Sequence, residues 1–172
     1  MIVFTSDNGL ALGRHGLLGK QSVYEHSVHV PLIISGPGIP RGAKRSDFCY
    51  LYDIFPTLCD LIGVSPPPSV EGLSLVPAIP NQKRKTRPAL YFAYRHFQRA
   101  IRTKRWKLIL YNVKGEKHTQ LFDLEKDPWE INNLAEKPAF SKQVRQLTEE
   151  LQTLMNKADD PVRLSAPVWK SV

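Results

Sequence analysis

Short apolar runs predict two strands in the first part of the chain, at residues 2–6 and 30–35. Each run is shorter than an ordinary helix and is bounded by glycine, proline or polar residues, which favours a strand in a sheet covered on both faces. Residues 9–19 between them are rich in glycine and lack a period, so we expect a loop able to lie over a site.

The second half of the chain predicts an antiparallel sheet followed by a helix. Aromatic and β-branched residues dominate four short segments, 90–94, 100–102, 106–111 and 120–124, which are separated by polar turns. From 140 to 157 the apolar residues recur at steps of three and four, the period of an amphipathic helix.

A short helix is predicted at residues 53–63. We expect Asp53 to cap its start, and Gly63 to end it in the left-handed conformation. The expected apolar face consists of Ile54, Leu58, Leu61 and Ile62.

A proline-rich connection, residues 63–88, suggests the division of the chain. We predict an α/β portion at 1–75 and a smaller subdomain at 76–172 that holds the antiparallel sheet, the helix and an extended tail.

Composition predicts a folded chain, since 42% of its 172 residues are hydrophobic. The two cysteines, Cys49 and Cys59, are expected to be separate thiols rather than a disulfide. No apolar run approaches the roughly 18–20 residues of a membrane span, and we expect neither a secretory signal nor a membrane partner.

The net charge of +8 is concentrated in two clusters, at residues 83–87 and 95–107. Such a surface attracts any polyanion, although a solvated loop and a hairpin rim explain the same charges.

The residues after the first apolar run suggest chemistry. Asp7 and Asn8 offer hard oxygen donors suited to Ca²⁺ or Mg²⁺, although the same pair is common in plain turns. Lys20 lies thirteen positions after Asp7 (20 − 7), where it could fold back towards an anion held at the strand end. We expect these three side chains to face one cavity.

Three segments together resemble the sulfatases of the alkaline-phosphatase-like superfamily. The first contains Ser6-Asp7-Asn8-Gly9, Gly13-Arg14-His15-Gly16, Gly19-Lys20, Tyr24-Glu25 and Val30-Pro31-Leu32-Ile33. The second contains Arg99-Ala100-Ile101-Arg102 and Trp106-Lys107-Leu108-Ile109. The third runs from Leu121-Phe122-Asp123-Leu124 through Asp127-Pro128-Trp129-Glu130 to Asn133-Leu134-Ala135.

The resemblance implies the fold and the roles of individual residues. The fold would be part of an alkaline-phosphatase-like α/β sandwich, its last strands and helix, with the small antiparallel subdomain and its terminal helix. Asp7 and Asn8 would be metal ligands, for Ca²⁺ or alternatively Mg²⁺, and Lys20 would contact the sulfate ester oxygens. The chemistry of the side chains suggests three more candidates: His15 could act on the leaving group or contact the substrate, although many sulfatases have no histidine here and a plain loop histidine is the alternative. Arg14 and His96 could contact an anionic substrate or simply lie on the rim. Arg102 and Trp106 are expected to be structural.

The chain also departs from the family. Sulfatases use a formylglycine nucleophile made from Cys or Ser in a C/S-x-P/A-x-R motif, and this motif is absent from the sequence. The family's first pair of metal-binding aspartates is missing too. We therefore expect the C-terminal part of a sulfatase, inactive alone, with the N-terminal part of the enzyme as a partner.

The implied reaction is hydrolysis of a sulfate ester of a carbohydrate or an aryl alcohol. A related phosphatase or phosphodiesterase, and a non-catalytic fragment that binds polyanions or complements an N-terminal half, are the alternatives. Nucleic acid is not an expected partner. Relatives are often secreted, periplasmic or lysosomal, but the sequence assigns no location to this chain.

Overall fold

The computed structural model describes residues 1–80 and 87–169, which form two compact units. The first unit comprises Met1–Asp7 and Val30–Pro88, and the second comprises Asn8–His29 and Ala89–Val172. Segment 8–29 therefore belongs to the same unit as the C-terminal half of the chain. The proposed boundary near residue 75, which concerns the domains of a complete enzyme, stays a prediction.

In the first unit, strands β1 (Ile2–Thr5) and β2 (Leu32–Ser35) pair antiparallel, with Ile2 opposite Ser35 and Thr5 opposite Leu32. Both predicted strands are present, but their burial differs from the expectation. Ile2 and Phe4 are 71% and 59% exposed, because the described residues leave one face of this two-stranded sheet open to solvent.

The helix of the first unit, α2 (Ile54–Leu61), begins differently from the prediction. Asp53 has helical backbone angles and ends a 3-10 turn, Leu51–Asp53, that runs directly into the helix. Its fully buried carboxylate accepts hydrogen bonds from the backbone N–H of Tyr50 (2.7 Å) and Leu73 (2.8 Å) and pairs with Arg87. Asp53 thus occupies the predicted N-cap position, but its side chain makes no capping hydrogen bond to α2, because its carboxylate is engaged in this buried ion pair.

The predicted apolar face of α2 is found only in part, since Ile54, Leu58 and Leu61 are half-buried. Pro56, Thr57 and Cys59 are its buried residues, whereas Ile62 is 68% exposed. The buried hydroxyl of Thr57 has partners on both sides: it donates to the Asp53 carbonyl (2.6 Å) and accepts from the backbone N–H of Leu75 (2.9 Å), which offsets the cost of burying it. Gly63 adopts the predicted left-handed conformation, with φ of 74°.

The second unit contains the predicted antiparallel sheet. Its strands lie in the order β3 (Ala89–Tyr94), β4 (Gln98–Thr103), β5 (Trp106–Val113) and β6 (Glu116–Asp123). Lys114 and Gly115 form a two-residue turn between β5 and β6, both with positive φ, as tight hairpins require.

Helix α3 (Ser141–Lys157) confirms the helical period in the sequence and covers one face of this sheet. Its Leu147, Leu151 and Met155 form a core with sheet residues Ile101 and Leu108. The tail after the helix is attached to this core through Val162 and Trp169, which are both 4% exposed.

The opposite face of the sheet holds a second core, and the segment before helix α1 (Glu25–Val28) contributes to it. Val23 and Tyr24 pack there against Ala100, Ile109 and Phe122 of the sheet. This packing fixes the end of loop 9–22, in which most of the predicted site residues lie.

Several smaller predictions can also be compared with the structure. Cys49 and Cys59 are both free thiols, as expected. Residues 83–85 of the first basic cluster lie outside the described residues. In the second cluster, Arg99 and Lys107 are 3% and 0% exposed and form ion pairs, so they are not a solvated rim. None of the helices in the described ranges is long and apolar enough to span a bilayer.

Candidate functional site

Loop 9–22 is closed by its own backbone hydrogen bonds. The N–H of Ala11 donates to the carbonyl of Gly19 (3.0 Å), and that of Gly13 donates to Leu17 (2.8 Å). His15, at the tip, has a positive φ of 53° between Gly13 and Gly16, which are also left-handed. A non-glycine residue in this conformation is strained locally, and such strain is concentrated at functional sites.

Gly9 attaches the start of the loop to the segment that follows it. Its N–H donates to the carbonyl of Ser27 (2.9 Å), and a Cβ at Gly9 would lie 1.9 Å from the carbonyl oxygen of His26. Any side chain here would separate the two segments, so the close approach requires glycine.

A buried ion-pair cluster anchors the other end of the loop to the sheet. Lys107 is fully buried on β5, and its Nζ lies 3.0 Å from Glu25 Oε1 and 3.0 Å from Glu130 Oε1. Glu130 Oε2 also accepts a hydrogen bond from the backbone N–H of Glu25 (2.7 Å). These three residues, called the Lys107 cluster below, join three segments that are distant in the sequence.

The two carboxylates of the Lys107 cluster respond differently to burial. Burial alone would raise the pKa of Glu25, but the hydrogen bond with His29 and the charges of Lys107 and Arg102 lower it to about 2. Burial raises the pKa of Glu130 above its usual value despite the neighbouring ammonium, because Glu130 is 2% exposed. The hydrogen bond with Glu25 raises the pKa of His29.

His15 belongs to an aromatic group at the loop tip. Its ring stacks on Tyr24 with 4.0 Å between centroids and 6° between planes, and His26 lies 5.7 Å from both rings. Burial, followed by the positive charges of His15 and Arg14, lowers the pKa of His26. The stack therefore holds the exposed His15 ring in a defined orientation.

A cavity of about 640 Å³ lies next to this stack, entirely within the second unit. Its walls come from loop 9–22, strands β4 to β6 and residues 133–136. His15 and Tyr24 line one side, and Gln98, Tyr111 and Gln120 lie in the sheet wall.

The structure brings some predicted site residues together and separates others. His15 lines the cavity, whereas Lys20 and His96 are not among its lining residues. The Arg14 guanidinium lies 3.9 Å from the centre of the Trp129 ring. His96 lies in the turn between β3 and β4, with its ring edge-on to Phe97 at 5.5 Å. Lys20 is an exposed residue of the loop.

The predicted metal ligands, Asp7 and Asn8, are consecutive residues that follow β1 after one intervening residue, Ser6. Their carboxylate and amide oxygens suit Ca²⁺ or Mg²⁺. Among the described residues, no group of three His, Cys, Asp or Glu side chains is placed to hold a metal ion. The oxygens of Asp7 and Asn8 are thus donors of the type that these metals prefer, and they could supply part of a shell of six to eight oxygens.

Sequence reasoning did not single out Gln98, Tyr111 or Gln120. These residues follow no motif, and only the alternation along the strands could have pointed to them. Glu25, Lys107 and Glu130 lay within the quoted motifs, but their mutual contact depends on pairings 82 and 105 residues apart in the chain.

Comparison with known proteins agrees with the resemblance. The profile of the family described as N-sulphoglucosamine sulphohydrolase, C-terminal, matches residues 13–157. Arylsulfatase K of Mus musculus is 33% identical over 168 residues, covering 91% of this chain and 30% of the relative. Choline-sulfatase of Rhizobium meliloti is 43% identical over 145 residues, covering 80% and 27%.

A solved structure of a protein in complex with its substrate D-glucosamine-2-N,6-O-disulfate superposes with a TM-score of 0.83 and 32% identity. The match covers 93% of this chain and 35% of that one. The chain thus spans about a third or less of the length of these relatives. Sequence and fold agree over most of the chain, which therefore belongs to the sulfatase family and matches the C-terminal part of its members.

Proposed function

We propose that this chain forms part of a sulfuric ester hydrolase and supplies metal ligands and a sulfate-contacting lysine to its active site. The observation that carries the proposal is the family match over residues 13–157, in which His15 and Lys20 fall. The relatives named above, an arylsulfatase and a choline-sulfatase, support a sulfate ester as the substrate.

Asp7 and Asn8 would hold the metal, Ca²⁺ or alternatively Mg²⁺, together with ligands from the rest of the enzyme. When bound, the metal supplies positive charge that polarises the sulfate ester. The position of the two residues just beyond β1, after Ser6, supports this role, because the pairing of β1 with β2 fixes the strand that leads towards them.

Lys20 would contact the sulfate oxygens, where its ammonium offsets their negative charge and stabilises charge that develops in the transition state. The loop that bears it is fixed at Ala11 and Gly19 by a backbone hydrogen bond and at Glu25 by the Lys107 cluster. A lysine on an anchored loop loses less conformational freedom on binding than one on a loose loop.

His15 would act at the leaving-group side, either as a proton donor to the departing alcohol oxygen or as a contact to the alcohol itself. Its stacking on Tyr24 restricts ring rotation and supports such a directional role. Arg14, held over Trp129, is a second candidate for contact with an anionic substrate. His96 stays a weaker candidate.

The nucleophile of the family, a formylglycine, has no counterpart motif in this sequence. We therefore expect the isolated chain to release no sulfate from 4-nitrophenyl sulfate. The substrate of the complete enzyme would be a sulfated carbohydrate or an aryl sulfate.

A chimera tests the proposal. This chain replaces the matched segment of the Rhizobium meliloti choline-sulfatase, which is 43% identical, and sulfate release is measured with Ca²⁺ or Mg²⁺ present. We expect turnover in the chimera and its loss in Lys20→Ala and Asp7→Ala variants. Lys142→Ala, which changes an exposed lysine on α3, is the matched control and should leave turnover unchanged.

Two results would contradict the proposal. One is a folded, monodisperse chimera whose sulfate release is unaffected by Lys20→Ala. The other is a chimera that prefers a phosphate ester to the corresponding sulfate ester, which would favour the related phosphatase or phosphodiesterase.

A further inference from the structure

Asn8 is the only asparagine of the chain that is followed directly by glycine. The other five asparagines precede Gln82, Val113, Asn133, Leu134 and Lys157. An asparagine can close a five-membered ring when the backbone nitrogen of the next residue attacks its side-chain carbonyl carbon. Glycine at the next position hinders that attack least, because it has no Cβ. The sequence therefore contains one position that is chemically disposed to this reaction.

The reaction consumes water and releases ammonia. The Gly9 nitrogen bonds to Asn8 Cγ, the Cγ–Nδ2 bond breaks, and ammonia leaves with the proton that the Gly9 N–H has lost. Water then opens the resulting succinimide at one of its two carbonyls. Opening between Cγ and the nitrogen gives an aspartate. Opening between the main-chain carbonyl carbon and the nitrogen gives an isoaspartate, whose backbone is longer by one methylene group.

In the folded chain, Gly9 is held in a way that opposes this attack. Its N–H donates to the carbonyl of Ser27 (2.9 Å), so this hydrogen bond must break before the nitrogen can lose its proton. A Cβ at Gly9 would lie 1.9 Å from the carbonyl oxygen of His26, which shows how closely the backbone approaches the neighbouring segment. Ring closure has to turn the Asn8–Gly9 peptide towards the Asn8 side chain, and these contacts oppose that movement.

The segment that holds Gly9 is itself anchored. Ser27 is 3% exposed, and its hydroxyl lies 2.9 Å from that of Ser22. Helix α1, to which Ser27 belongs, begins at Glu25 and is attached to the sheet by the Lys107 cluster. All of these residues lie in the second unit. Asn8 should therefore react only when the attachment of Gly9 opens locally, in the way that amide hydrogens exchange.

From these contacts we propose that Asn8 is a site of spontaneous deamidation and that the attachment of Gly9 to Ser27 controls its rate. This chemistry is independent of the proposed function, although it changes a residue proposed to bind the metal. Deamidation replaces the neutral amide with a carboxylate next to Asp7, and ligand charge is one of the factors that set the affinity for Ca²⁺.

The rate of deamidation at Asn8 is measured in the folded chain and in guanidinium chloride. Both samples are kept in the same mildly alkaline buffer, and peptide mass spectrometry follows the mass gained when NH2 is replaced by OH. In the unfolded chain we expect Asn8 to react faster than the other five asparagines, whose next residues hinder ring closure. In the folded chain its rate should be at least about tenfold lower, which corresponds to an opening free energy of about 1.4 kcal/mol.

Gly9→Ala separates the effect of the attachment from the intrinsic reactivity. Alanine hinders ring closure, so the unfolded variant should react more slowly than the unfolded parent. In the folded variant the Cβ would meet the His26 carbonyl oxygen and release position 9 from Ser27. The ratio of unfolded to folded rates should therefore fall from at least about tenfold towards one. Gly38→Ala, in the first unit, is the matched control and should keep the ratio of the parent, since nothing lies within 4 Å of its added Cβ.

Hydrogen exchange at the Gly9 amide gives an independent measurement, because exchange and ring closure need the same opening. In the parent chain, at guanidinium chloride concentrations below the unfolding transition, the two rates should rise in proportion. This comparison also decides the matter if Gly9→Ala does not fold.

Three results would overturn the inference: no preference for Asn8 in the unfolded chain, equal rates in the folded and unfolded chain, or a folded Gly9→Ala variant that keeps the ratio of the parent. Rates of deamidation and of Gly9 exchange that vary independently would likewise exclude control by the contact with Ser27. The chimera tests the proposed function separately, because its sulfate release does not depend on how fast Asn8 reacts.

Discussion

Replacing Lys107 with methionine should destabilise the second unit strongly. Methionine keeps the length of the side chain but removes the ammonium that lies 3.0 Å from both Glu25 and Glu130. Glu25 retains Arg102 and His29 nearby, at 3.7 and 3.4 Å. Glu130, which is 2% exposed, keeps only the backbone N–H of Glu25 among the contacts described above.

The magnitude follows from the buried charges that lose their partner. Breaking a buried ion pair by removing one member costs about 3–5 kcal/mol, a large part of the roughly 5–15 kcal/mol that stabilises a domain. The pKa of Glu25, lowered from 4.5 to about 2, gives an independent figure of about 3 kcal/mol at neutral pH. His29 and Arg102 also stabilise the charged form of Glu25 and remain in the variant. Most of the lost free energy should therefore come from Glu130.

The loss of stability in Lys107→Met should depend on pH in a defined direction. The contribution of Glu25 in the parent chain is complete above pH 4.5 and is lost as the pH falls towards 2. In Lys107→Met both carboxyls should bind protons more readily, so the deficit relative to the parent should be largest near neutral pH and shrink in acid.

Urea unfolding followed by tryptophan fluorescence suits the measurement, because all three tryptophans, Trp106, Trp129 and Trp169, lie in the second unit. The double variant Lys107→Met/Glu130→Gln should recover part of the loss, since it removes one of the stranded charges. Lys142→Met, at an exposed position of α3, should stay within about 0.5 kcal/mol of the parent. A loss below about 1 kcal/mol at pH 7, or a deficit that grows in acid, would refute the reasoning.

Three further substitutions probe other contacts of the second unit. Asp160→Asn should lower its unfolding free energy by about 3 kcal/mol, because it weakens a buried pair with Arg99 (2.6 Å); a loss no larger than that of an exposed Asp→Asn control would contradict this. Gly9→Ala should speed hydrogen exchange at the Gly9 amide, because its Cβ would lie 1.9 Å from the His26 carbonyl oxygen; unchanged exchange would show that the segments need no close approach. His29→Gln should flatten the pH dependence of thermal unfolding. The raised pKa of His29 means that its contribution is present below pH 6.5 and is lost as the pH rises through the folded value; identical pH profiles for variant and parent would exclude that contribution.

The sequence predicted the elements of the second unit well because their signals are local. The aromatic and β-branched runs and the period of 140–157 report directly which face of each strand or helix is apolar. The structure contains four antiparallel strands and helix α3, and their first and last residues lie within a few positions of the predicted ones. Strand ends were less accurate because the turns, such as Lys114–Gly115, extend the pairing beyond the apolar core.

Predictions failed where a polar side chain serves a distant partner. Asp53 has the sequence context of a helix cap, yet its carboxylate pairs with Arg87, 34 residues away. The sequence did not predict that Ile2 and Phe4 are exposed. An apolar run predicts a strand, but it carries no information on which other elements pack against that strand. The predicted roles of Asp7, Asn8 and Lys20 stay predictions, since they concern a site that needs residues beyond these.

The three sequence segments that resemble the sulfatases meet at a single point in the fold. Glu25 comes from the first segment, Lys107 from the second and Glu130 from the third, and together they form one buried ion-pair cluster. Much of what makes the motifs specific is therefore the attachment of the loop to the sheet, a structural requirement that is independent of the substrate. It follows that Glu25, Lys107 and Glu130 serve to place loop 9–22 on the sheet, a role separate from the metal and substrate roles proposed for other residues of the same motifs.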